Sequence, residues 1–170
     1  MLSIASLAPF GIPGFFKNMV ASNENKFKTT AAHGEAGIRP LNEASAAAAM
    51  AATGPNALVG MMPPVDKAVM TDELTRDFAE CFAEGLSTGI DGYTDDYLAF
   101  TQPWGFELSG IAVPTFIWQG ALDTNVPLTH GEWLAAHVPN AVAHLEPDDG
   151  HMSVTGKVIP TGLDELVKTL

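Results

Sequence analysis

The sequence contains a single cysteine, Cys81, in 170 residues. One thiol excludes an internal disulfide framework and any zinc site built on paired cysteines. Basic residues are scarce too: 8 Lys and Arg stand against 20 Asp and Glu, a net charge of −12. Broad nucleic-acid binding and docking on an anionic membrane both need a basic surface, so neither partner is expected. No uninterrupted apolar run is long enough to cross a bilayer. The first sixteen residues are apolar, but they lack a basic start and are broken by Pro9, Gly11, Pro13 and Gly14. That pattern fits a buried strand and loop better than a secretion signal. A cytoplasmic protein is expected.

What is present suffices for a core. The chain is 46% apolar and 16% charged, which places it among globular proteins, and its length suits one domain over 1–170. The apolar run 2–8 ends at Pro9 and reads as a buried strand. Residues 9–40 read as irregular. An Ala-rich helix is expected over 43–52, closed by Gly54-Pro55, with a loop over 60–64. Thr71 is placed to cap a helix over 72–84, with Leu74, Phe78, Cys81 and Phe82 at helical spacing and Gly85 as its stop. An acidic, aromatic stretch over 91–97 reads as a solvated loop.

The last third alternates. Residues 111–118 are β-branched and aromatic and predict a strand. Asp123 follows in a loop. Thr129 and Glu132 have capping-box spacing and predict a helix over 130–138, ended by Pro139-Asn140. A strand over 141–146 precedes a turn and His151. Strands alternating with helices imply an α/β protein with a small parallel sheet of about three strands. Ligands of such sheets gather at the carboxyl ends of the strands. Asp123 and His151 therefore project from one sheet edge. An Asp bonded to His Nδ1 fixes the tautomer of the ring and stabilises its charged form during catalysis.

Val113-Pro114, Trp118-Gln119-Gly120, Asp123, Val126-Pro127, His130-Gly131, Leu134-Ala135, Pro139-Asn140-Ala141 and Gly150-His151 together resemble the C-terminal part of α/β-hydrolases. The nearest subgroup is proline-iminopeptidase-like or esterase-like. The resemblance covers residues 104–155 closely and extends thinly back to Ser6-Leu7-Ala8-Pro9, similar to the strand after the nucleophile helix. It implies Asp123 as the acid and His151 as the base. It also implies a truncated α/β-hydrolase-like domain, with 10–103 as a lid or cap insertion and 104–170 as the core carrying the Asp and His loops. The family's early strands, oxyanion loop and strand-borne nucleophile would precede Leu2.

Seven serines are present, and one fits the G-x-S-x-G pattern: Gly85-Leu86-Ser87-Thr88-Gly89. That pattern works where a strained strand-to-helix turn exposes the hydroxyl. A helix is expected before Ser87, so a helix end followed by a loop is the simpler reading. Ser87 nevertheless precedes Asp123 and His151 in the family's order and is the candidate nucleophile. Ser153 is expected to bond to backbone.

His130, His137, His144 and His151 recur every seventh residue, across a helix, a turn and a strand. The regularity reads as coincidence, and no metal site or cofactor is expected. Asp91, Asp95 and Asp96 lack calcium-loop spacing. Met61, Met62, Met70, Trp104 and Trp118 are candidates for an acyl pocket, with ordinary core packing as the plainer reading.

The expected activity is hydrolysis of short acyl esters, by a Ser/His/Asp mechanism or by water attack assisted by His151 and Asp123. The alternative is a non-catalytic remnant, or one half of a split hydrolase whose partner chain supplies the nucleophile. An apolar edge strand over 2–8 also predicts a homodimer, joined through Leu2, Ile4 and Ser6 or through Phe15 and Phe16.

Overall fold

In the computed structural model, which describes residues 1–51, 59–60 and 62–169, three parallel strands lie in the order β1 (Leu2–Ile4), β2 (Thr115–Gly120), β3 (Ala141–Glu146). They belong to a unit made of Met1–Val20 and Pro103–Leu170; Ala21–Gln102 form a second unit. Leu2 aligns with Phe116, and Thr115 with Ala141. Between β2 and β3 runs helix α5 (Leu128–His137), and after β3 runs α6 (His151–Val167).

Every residue of β2 is buried, as a central parallel strand covered on both faces requires. The alternation of side chains sorts its two faces. Phe116 and Trp118 meet Val154 and Val158 of α6, with Ala5 beside them. Ile117 points the other way, into Ala8, into Leu134 of α5 and into Val138 just past that helix. Full burial of one such side chain stabilises the fold by about 1.5–3 kcal/mol.

Several expected boundaries move. The strand over 2–8 is only three residues long, because Ala5 turns into the left-handed region (φ 45°) and ends the pairing with its N–H on the Trp118 carbonyl. The strand over 111–118 begins later and runs to Gly120; Leu108–Gly110 form a 3-10 turn ahead of it. The Thr129–Glu132 capping box does not form. Helix α5 starts two residues earlier behind Pro127, and the Thr129 hydroxyl donates to the Gly14 carbonyl, 3.1 Å away. His151 is not a loop residue: it is the first residue of α6, behind Gly150. β3 falls where the sequence places it.

The second unit is helical. Its first helix, α1 (Ala21–Ala51), replaces the irregular stretch expected through residue 40 and absorbs the start of the helix expected over 43–52. The missing cue is a break, not an end: Gly34, at φ 58° and ψ −146°, kinks one long helix. The expected stop at Gly54-Pro55, and Met61, lie outside the described residues. A short helix α2 (Pro64–Lys67) follows. Helix α3 (Asp72–Leu86) starts on Thr71, whose hydroxyl accepts from Leu74 N at 3.1 Å, and passes through Gly85. Its expected core stripe is partly exposed, at Leu74 and Phe82, and Cys81 is exposed.

The acidic loop expected over 91–97 is instead helix α4 (Asp91–Phe100). Packing overrides its weak helix formers. Tyr97 sits against Phe27 of α1, ring centroids 5.3 Å apart. Buried Lys26 donates to the Tyr93 hydroxyl at 2.7 Å, and Asn42 donates to the Tyr93 carbonyl.

Candidate active site

Two loops leave the same edge of the sheet and are laced together. Ala121 N–H donates to the Glu146 carbonyl and Leu122 N–H to the Asp149 carbonyl, 2.8 and 2.9 Å away. Glycine at position 120 permits the approach: a Cβ there would lie 2.4 Å from both the Asp149 and Gly150 carbonyl oxygens. From α6, Lys157 holds the second loop by donating to Glu146 and Asp149, and those bonds push its ammonium above the ordinary lysine range.

Asp123 lies in the first loop with its carboxylate wholly buried. Oδ1 accepts from the backbone N–H groups of Asn125 and Val126, each at 2.8 Å, the geometry of an Asx turn. Oδ2 accepts from Gln119 Nε2 at 3.3 Å and meets His151 Nδ1 at 2.8 Å. A carboxylate accepts, so Nδ1 carries the imidazole proton there. The His151 side chain keeps 31% of its surface exposed. A buried anion behind a partly exposed imidazole is an arrangement that can hold one tautomer and stabilise an imidazolium. Gly150 N–H donates to the Ser153 hydroxyl at 2.7 Å, which fixes the turn just before His151.

Ser87 lies in the helical unit, exposed, at the end of α3, and its hydroxyl donates to the Glu84 carbonyl at 2.6 Å. Helix α3 precedes it and α4 follows at Asp91, so the strand that a nucleophile elbow needs is not there. Ser3 donates to the Ser6 hydroxyl, and Ser6 to the Ile4 carbonyl.

The histidines at seven-residue spacing have separate surroundings. His130 is fully buried: its Nδ1 accepts from Ala8 N–H and its Nε2 meets the Phe15 carbonyl at 2.8 Å. Burial pushes its titration below the ordinary histidine value. His137 stacks on Trp133 and His144 on Trp118, with His144 Nε2 at 3.0 Å from the Glu165 carboxylate. Among the described residues no cluster of His, Cys, Asp and Glu is arranged to hold a metal ion.

An apolar cavity of about 340 Å³ lies beside β1, walled by Leu7, Trp104, Ile117 and Leu134, with the Ser3 and Ser6 side chains at its lining. The two tryptophans named as candidates for an acyl pocket are separated, and Trp118 follows the plainer core-packing reading. Trp104 lines this cavity, whereas Trp118 points from the opposite face of β2 into α6.

Gln119, which reaches the Asp123 carboxylate at 3.3 Å, is not singled out by the sequence. No local pattern shows that its side chain, at the end of a buried strand, reaches Asp123 four residues on.

No family model and no curated protein matches the sequence. Solved structures do. BpoC from Mycobacterium tuberculosis H37Rv, named as a non-heme bromoperoxidase, is similar at 16% identity and TM-score 0.52, over 99% of this chain and 56% of that one. Rv0554 from Mycobacterium tuberculosis is similar at 18% identity and TM-score 0.52, over 97% and 54%. Olei00960, a hydrolase from Oleispira antarctica, is similar at 18% identity and TM-score 0.49, over 99% and 56%. The likeness to BpoC and Rv0554 carries the fold alone: an α/β arrangement on a three-stranded parallel sheet. The chain spans just over half the length of the structures it matches. No helix among the described residues is long and apolar enough to cross a membrane.

Proposed function

We propose that the chain carries the acid and the histidine of a hydrolase that cleaves short acyl esters. His151 acts as general base and then general acid, and Asp123 orients it. The observation that supports this is the 2.8 Å contact between His151 Nδ1 and the buried Asp123 carboxylate. A buried carboxylate needs strong partners, and here the imidazole is one of them. In this reading 10–103 is the lid-type insertion and 104–170 the part that carries the two catalytic loops.

The electron flow fits two nucleophiles. His151 Nε2 takes a proton either from the Ser87 hydroxyl or from water; the oxygen attacks the ester carbonyl; the proton then passes to the departing alkoxide, and with Ser87 a water activated by the same imidazole next cleaves the acyl-serine, releasing the acid and returning the proton to Ser87. Ser87 keeps its place in the chain order of the proposal. Its position at a helix end, rather than on a strand-to-helix turn, favours a second reading in which another chain supplies the nucleophile to this acid–histidine half. In that case the chain alone is inactive.

A fluorophosphonate probe separates these readings. Labelling at one serine, lost in Ser87→Ala, supports Ser87 as nucleophile. Turnover of p-nitrophenyl acetate without labelling supports attack by water. Absence of both sinks the single-chain enzyme and supports the split or non-catalytic reading.

A further inference from the structure

We propose that Gln119 is a positioning residue for the Asp123–His151 pair: its neutral amide ties the carboxylate to β2, so that His151 keeps its proton on Nδ1. The inference rests on the reading of that pair as the working centre.

Gln119 is fully buried at the end of β2. Its Nε2 donates to the Val126 carbonyl at 2.7 Å and to Asp123 Oδ2 at 3.3 Å. Both partners are acceptors, so the amide stands one way only; turning it would set oxygen against oxygen. Helix α5 locks the stem in place. A Cβ on Gly131 would fall 2.5 Å from Gln119 Cβ, so the helix backbone lies directly on the side chain.

The remaining bonds of Asp123 show why a tie is needed. Oδ1 bonds to N–H groups of its own turn, at Asn125 and Val126. Those bonds orient the carboxylate within the turn but do not attach it to the sheet. His151 arrives on the other loop, after β3. Gln119 holds both the carboxylate and the Val126 carbonyl to β2, the strand against which both loops are laced. A neutral donor does this without the charge of a cation, which would compete with the imidazole for Oδ2.

A second observation argues against a merely space-filling role. Gln119 Oε1 is buried with no hydrogen-bond partner. The oxygen end of the amide therefore contributes no bond, and what distinguishes Gln119 from an apolar side chain of the same size is its N–H donors. The amide nitrogen, by contrast, has two acceptors, and one of them is the acid.

The test is nitrogen NMR of the protein labelled in its histidine rings. The parent is expected to show His151 with its proton on Nδ1. In Gln119→Met, of similar volume and without donors, the His151 ring signals are expected to move toward a mixture of tautomers. Where hydrolysis is measurable, kcat is expected to fall about tenfold or more with KM little changed, the scale of losing a residue that orients a working group. Unchanged His151 signals in a folded Gln119→Met variant overturn the proposal. If that variant does not fold, Gln119→Glu keeps the shape. Its new carboxyl donates to Asp123 when protonated and repels it when ionised. The His151 signals should then depart from the parent only as that carboxyl ionises, and signals matching the parent throughout overturn the proposal. A parent with the Nδ1 proton in place but no hydrolysis removes the functional reading and leaves this one standing.

Discussion

Gly120 and Gly150 approach so closely that a single methyl group on Gly120 would lie 2.4 Å from the Gly150 carbonyl oxygen. The contact joins the end of β2 to the turn before His151, so the distance between the two loops is set by the absence of a side chain. Gly120→Ala is therefore expected to force the loops apart. Overpacking of this kind costs about 1–3 kcal/mol. Urea denaturation should show the loss, and a parent-like midpoint would show that the loops yield without strain.

His130 makes stability depend on pH. In the fold it is neutral, bonded at Nδ1 and Nε2 and lowered by burial from the ordinary value of 6.5. The unfolded chain takes up a proton as the pH falls through about 6.5, whereas the folded form resists it. The unfolded state then binds more protons, so this contribution is complete above that pH and is lost as the pH falls toward the lower folded value. Urea midpoints at pH 7.5 and at pH 5 should differ less in His130→Gln than in the parent. Equal differences would assign the effect to other groups.

Assembly through β1 is a further expectation. Met1 O accepts from Phe116 N–H and Ala5 N–H donates to Trp118 O, so the odd-numbered residues of this parallel pair face β2. The backbone groups of Leu2 and Ile4 consequently face the outer edge. Two copies joining these edges would form a homodimer, its acidic charge keeping it in solution. Phe15 is buried against Phe10 and His130, so of the two expected surfaces the one through Leu2, Ile4 and Ser6 is the one proposed, with Phe16 half-buried. Sedimentation at micromolar concentration should show a dimer that Ile4→Lys dissociates. A monomer in the parent would refute this.

The sequence revealed β3, the Thr71 cap and the convergence of Asp123 and His151, because each depends on short-range signals or on strand order. Strands of one parallel sheet end at one edge, so residues just beyond two of them meet without any further information. The helical unit was less legible. Gly34 and Pro40 interrupt the pattern of α1, and Asp91, Gly92, Thr94 and Asp95 are weak helix formers; these segments become helical through long-range contacts such as Phe27 with Tyr97 and Lys26 with Tyr93. Gln119 was hidden for the same reason. Its contact with Asp123 is set by where the Asp123 turn folds back, which no spacing in β2 records.

The central claim is that His151, oriented by Asp123, performs hydrolysis. Turnover of p-nitrophenyl acetate by the parent, His151→Ala and Asp123→Asn, each checked for folding by circular dichroism, tests it directly. The account predicts that His151→Ala lowers kcat by about three orders of magnitude or more, with Asp123→Asn also strongly reduced through loss of the preferred tautomer. A folded His151→Ala variant that turns over ester within a few-fold of the parent would contradict it.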